Sequence, residues 1–130
     1  MRVKFTDGYW QLRDGVRARY PAEAYDVAAE PDALTVYAPT RRITTRGDTL
    51  NEPMVTVRCT SPAPEVIAVE ITHFAGGRPR LPQFALASDP AVSVRTEVDD
   101  HQATLTSGAL TARFPRGDRF GLSSWPAAGC

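Results

Sequence analysis

The chain has 130 residues, 15 basic and 15 acidic, with a pI near 6.7. That length admits one ordinary domain with a core of its own. The balanced charge lacks the positive field that binds phosphate backbones, so nucleic acid is excluded as an expected partner. Eleven prolines and nine glycines among short Val/Ile/Thr runs predict an all-β domain with many turns.

The opening residues Met1–Asp7 carry no apolar core of a signal peptide. No apolar run approaches the roughly 20 residues that span a bilayer. No membrane and a cytoplasmic location are the expectations. Of the two cysteines, Cys59 falls in an apolar strand and reads as a small buried hydrophobe. Pairing with Cys130 is open, and nothing else points to an oxidising compartment.

In chain order, residues 3–5 form a first short strand, and Asp7-Gly8 turns into Tyr9-Trp10-Gln11-Leu12. Asp14-Gly15 turns again into Val16–Tyr20, and Pro21 breaks the meander. Tyr25 and Val27 share a face. After the turn Glu30-Pro31-Asp32, residues Leu34, Val36 and Ala38 alternate with Thr35 and Tyr37, which predicts a hairpin with residues 25–28. From Pro39 to Glu52 no clean period appears. So long a connection implies a crossover between sheets or a functional loop.

The strongest signal runs from Pro53 to Phe74. Val55, Val57 and Cys59 alternate with polar residues, and so do Ile67, Val69 and Ile71. This predicts strands at 54–61 and 65–74, joined by the turn Ser61-Pro62-Ala63-Pro64, with both apolar rows in the core. Gly76–Arg80 then reads as a loop, and residues 81–88, interrupted by Pro82, as a poor strand.

The last third predicts a four-stranded antiparallel meander. Val92, Val94, Thr96 and Val98 line the first strand, and Asp99-Asp100 makes a two-residue turn. Ala103 and Leu105 point inward on the return. Leu110, Ala112 and Phe114 line the third strand, and Phe120 and Leu122 the fourth.

No residue set makes a convincing active site. Asp99-Asp100 is the one adjacent acidic pair, and neighbours in a tight turn cannot flank a glycosidic bond across the about 5–10 Å that glycosidase chemistry needs. His73 and His101 lie in no metal or nucleophile spacing, so no catalytic, metal or cofactor residue is assigned. The Arg-Gly-Asp tripeptides at 46–48 and 116–118 are ordinary turn dipeptides in an Arg-rich chain. Gly76-Gly77 is followed by no helix start, so it is not a phosphate loop. Tyr9, Trp10 and Trp125 remain as aromatic candidates for stacking on a sugar, beside the favoured core or inter-domain role; Tyr9 and Trp10 alternate, so one of the two faces out.

Several stretches in order resemble glycoside hydrolase family 31, most closely its α-xylosidase branch. They are Phe5-Thr6-Asp7-Gly8-Tyr9-Trp10, Tyr20–Val27, Val36–Arg41, Gly47–Asn51, Thr56-Val57-Arg58, Ser61–Pro64, Val69–Phe74 and Ser107–Arg113. The resemblance covers residues 1–122, leaving 123–130 as a divergent tail. It implies an antiparallel β-sandwich of the galactose-mutarotase-like type that precedes a (β/α)8 catalytic barrel. The family's two catalytic aspartates lie on that barrel, so neither is carried over. It implies no cofactor, a barrel domain as partner, an α-linked oligosaccharide (a xyloside) as the full enzyme's substrate, and room for homo-oligomer contacts. The family's sandwich runs further than this chain, so an incomplete C-terminal end with uncovered apolar surface is expected. The alternative is a stand-alone carbohydrate-binding or self-associating sandwich.

Overall fold

A computed structural model describes residues 14–50, 52–74, 76–77, 82, 84–85, 87–89 and 91–126. Among the described residues, eight strands form two antiparallel four-stranded sheets, each a meander in sequence order. The first holds β1 (Asp26–Ala29), β2 (Ala33–Pro39), β3 (Met54–Ala63) and β4 (Val66–Thr72). The second holds β5 (Val94–Val98), β6 (Gln102–Ser107), β7 (Leu110–Pro115) and β8 (Ser123–Pro126). The two layers face each other chiefly through β1 and β2 on β5 and β6, β3 on β6, and β4 on β7. The molecule is an all-β sandwich, as its short alternating runs predict.

Alternation explains the core. Leu34, Val36 and Ala38 pair in register with Cys59, Val57 and Val55, and all six are buried. Opposite them, Ala103, Leu105, Ala112 and Phe114 are buried from the second sheet. Phe120 tilts against Phe114 with ring centroids 6.0 Å apart. A sheet with one apolar face can bury it only against a second such face, and here each supplies the other.

Several expectations need correction. The hairpin of β3 and β4 does not turn at Ser61–Pro64. β3 continues to Ala63, a register shift absorbs the extra residues between Thr60 and Ala63, and the chain reverses at Pro64-Glu65. The apolar row of β4 is also only partly core. Ile67 is half-buried, whereas Val69 is 43% exposed and Ile71 66%. They face the same way as Cys59 and Val57, their register partners, but β4 is the edge strand of its sheet among the described residues, and its contact with β7 leaves these two side chains exposed.

The second turn slips by one residue. Asp99 and Gln102 close the β5–β6 hairpin through Asp99 N–H to Gln102 O at 2.9 Å, leaving Asp100-His101 as the turn. The fourth strand of the second sheet forms at Ser123–Pro126 rather than at Phe120–Leu122, because Phe120 turns inward to pack on the core.

The long connection after Pro39 crosses nowhere. It joins two neighbours in one sheet and contains a single 3-10 turn, Arg46–Thr49. The expectations for residues 3–12 and for Cys130 lie outside the described residues, as do residues 78–81.

Candidate functional site

The loop from Thr40 to Pro53 is the most organised irregular segment. Its anchor is Asp48, whose Oδ2 accepts from the backbone N–H of Thr44 and of Thr45, each at 2.9 Å. The same oxygen receives the hydroxyls of Thr44 at 2.8 Å and Thr45 at 3.2 Å. Arg41 approaches the other carboxylate oxygen at 3.2 Å. Donation from Thr44 first, then from Thr45 and Arg41, holds the Asp48 carboxyl well below the usual carboxylate range. One buried anion therefore fastens three other residues of the loop, Arg41, Thr44 and Thr45.

Neighbouring groups complete the frame. Glu23 accepts the Ile43 N–H at 2.9 Å and faces Arg42, which also pairs with Asp118 from the connection after β7. Glu52 accepts the Thr40 hydroxyl and the Arg19 guanidinium, each at 3.1 Å. The Thr49 hydroxyl donates to the Arg46 carbonyl at 2.8 Å. An open cavity of about 270 Å3 lies beside this loop, lined by Tyr25, Ile43, Thr44, Thr45, Arg46 and Thr49.

Of the aromatic candidates, Trp125 stands on β8 opposite Thr111, on the outer face of the second sheet, and is 60% exposed. Its indole N–H donates to Ser123 Oγ at 3.1 Å. Tyr9 and Trp10 lie outside the described residues. Tyr25, expected to share a face with Val27, is half-exposed at the cavity rim. Its place at the rim has no mark in the local pattern, because the rim is set by a loop that returns 18 or more residues later.

The remaining polar residues serve structure. Asp99 Oδ1 accepts the N–H groups of His101 and Gln102, at 2.7 and 2.8 Å, which lowers its pKa and spends it on the turn. The first Arg-Gly-Asp tripeptide buries its aspartate in the loop frame, so it presents no adhesive motif. Burial pushes the Cys59 thiol up to about 11, which makes it inert. Among the described residues no group of three or more His, Cys, Asp or Glu is placed to hold a metal ion. No described helix is long and apolar enough to cross a membrane.

No protein-family model matches the chain. The α-xylosidase XylQ of Lactiplantibacillus pentosus is 39% identical over 114 residues, which are 87% of this chain and 15% of that enzyme. An α-xylosidase of Emericella nidulans is 32% identical over 108 residues, 83% of this chain and 14% of its own. The chain thus spans about a seventh of the length of the curated relatives it matches. By these similarities the chain resembles α-xylosidases, and the matched stretch is consistent with the N-terminal domain of a glycoside hydrolase family 31 α-xylosidase.

Proposed function

We propose that the chain is a non-catalytic N-terminal β-sandwich portion of an α-xylosidase, of the galactose-mutarotase-like type, acting in carbohydrate metabolism in the cytoplasm. Its part is to pack on a catalytic barrel and shape the substrate entrance, with an α-linked xyloside as the full enzyme's substrate. The observation that carries this reading is the coverage. Similarity runs along 83–87% of the chain but only 14–15% of the relatives.

The uncovered row on β4 supports it. Val69 and Ile71 lie on the inward side of the first sheet yet stay exposed, and Phe74 just beyond them is exposed as well. An apolar row on an edge strand, continuous with the core, suits burial by further chain. Asp48 and Asp99 are tied up in loop and turn hydrogen bonds, and no described carboxylate pair flanks the cavity.

The test is an assay of the purified chain with an aryl α-xyloside. The expected result is no release of aglycone above the buffer rate. Turnover that scales with chain concentration and survives repurification refutes the non-catalytic reading. A fluorescent apolar dye should bind the chain, and Ile71→Lys should reduce that binding.

A further inference from the structure

The cavity beside the Thr40–Pro53 loop has a chemistry that the packing role does not use. Its threonine hydroxyls are oriented. Those of Thr44 and Thr45 donate to Asp48 and that of Thr49 donates to the Arg46 carbonyl. Each proton is thereby committed, and what these oxygens offer a ligand is lone pairs. Arg46, exposed, pairs with no carboxylate among the described residues, so its guanidinium supplies donors. Tyr25 brings an aromatic ring and Ile43 an apolar side chain to the lining.

This combination selects among ligands. An anion would meet threonine lone pairs and the ionised Asp48 behind them. A cation would meet Arg46. A neutral ring bearing several hydroxyls can donate to the threonines, accept from Arg46 and lay its C–H face on Tyr25. The volume of about 270 Å3 is slightly below the roughly 300 Å3 lower limit of drug-sized pockets, which suits a single ring. The frame is also preorganised. Backbone N–H groups of residues 43, 44 and 45 are fixed by Glu23 and Asp48, and the Tyr25 N–H is bonded to Tyr37 O at 3.0 Å.

We propose that the cavity formed by Tyr25, Ile43, Arg46 and the threonines at 44, 45 and 49 binds one neutral pyranose ring, with Tyr25 stacking on it and Arg46 donating to its oxygens. The choice of a xyloside as first probe rests on the α-xylosidase reading; the site itself does not.

The experiment titrates the isotope-labelled full chain with methyl α-D-xylopyranoside, methyl α-D-glucopyranoside and inorganic phosphate, following amide shifts. The expected result is saturable shifts at residues 25 and 43–49 with a sugar dissociation constant on the order of 1–10 mM, and no saturable shift with phosphate. Arg46→Ala and Tyr25→Ala should each weaken binding about tenfold or more while the urea midpoint stays unchanged. Glucoside binding without xyloside binding supports the pyranose site and counts against the α-xylosidase reading. Absence of shifts with both sugars, equal binding by the two variants, or tighter binding of phosphate overturns the site and leaves the domain reading to its own assay.

Discussion

Ser61 Oγ and Ser107 Oγ lie 2.6 Å apart, joining the end of β3 in one sheet to the end of β6 in the other. The proton order follows from what surrounds them. Ser61 Oγ also lies 2.8 Å from the carbonyls of Ala63 and of Val66, so its single proton goes to them. Ser107 must then donate to Ser61, and its lone pair receives the Glu65 N–H at 3.3 Å. Ser107 is fully buried, so water cannot replace these partners.

Ser107→Ala should therefore cost about 1–3 kcal/mol, since it removes a donor and leaves the Glu65 N–H unpaired. Ser61→Ala should cost a similar amount. Because they share one bond, the double variant should cost less than the sum of the two, by about 0.5 kcal/mol or more. Urea unfolding of the four proteins checks it. Strict additivity would show that the bond does not couple the sheets.

Phe114 and Trp125 should respond oppositely to truncation. Phe114 is fully buried on β7 amid both layers, and Phe114→Ala should cost about 3–5 kcal/mol through lost transfer energy and a cavity. That is a large part of an ordinary domain's stability. Trp125→Ala removes an exposed ring and should stay within about 0.5 kcal/mol. Thermal unfolding followed by circular dichroism distinguishes them.

Asp48 gives the loop a pH dependence. Its folded-state pKa lies below the ordinary 3.8, so the unfolded chain takes up the proton first. The stabilisation is fully present above that ordinary value and is lost as pH falls through and below it. Amide exchange at residues 44 and 45 should accelerate on acidification in that window beyond the intrinsic change of rate. Asp48→Asn should show faster exchange already at neutral pH and a flatter acid response. Asp99 shifts in the same direction and should soften the β5–β6 turn in the same window.

The β3–β4 turn carries local strain. Glu65 sits at φ +61, and Gly108 opposite it at φ +57. A methyl group on Gly108 would fall 2.7 Å from Glu65 Cγ. Gly108→Ala should thus destabilise, by about 1–2 kcal/mol from the left-handed backbone alone. Glu65→Asn places a residue tolerant of that conformation at the turn and should stabilise by a few tenths of a kcal/mol. Chemical denaturation reads both.

Much of the fold is legible along the chain. The alternation of Leu34, Val36 and Ala38, of Val55, Val57 and Cys59, and of Leu110, Ala112 and Phe114 names the inward faces, and each of these rows except Leu110 is buried. Turn boundaries are less legible. Ser61-Pro62-Ala63-Pro64 carries the composition of a reversal, yet the strand runs on through a register shift to Ala63, because the Ser61–Ser107 bond and the Asp89 N–H to Pro62 O bond hold it extended.

The candidate cavity is not legible at all. Its wall Tyr25 and its donor Arg46 are separated by the whole of β1 and β2, and each looks ordinary in its own neighbourhood. The sequence by itself determined the all-β class, the inward rows and the kinship with α-xylosidases, since period-2 burial and ordered matches are written locally. Only the tertiary structure decided that β4 is an edge with Val69 and Ile71 uncovered, and that Asp48 fastens a loop beside Tyr25. Which face of a strand is apolar follows from its own residues. Whether that face is covered depends on how far the opposing layer reaches, and that is fixed by packing between segments distant in the chain.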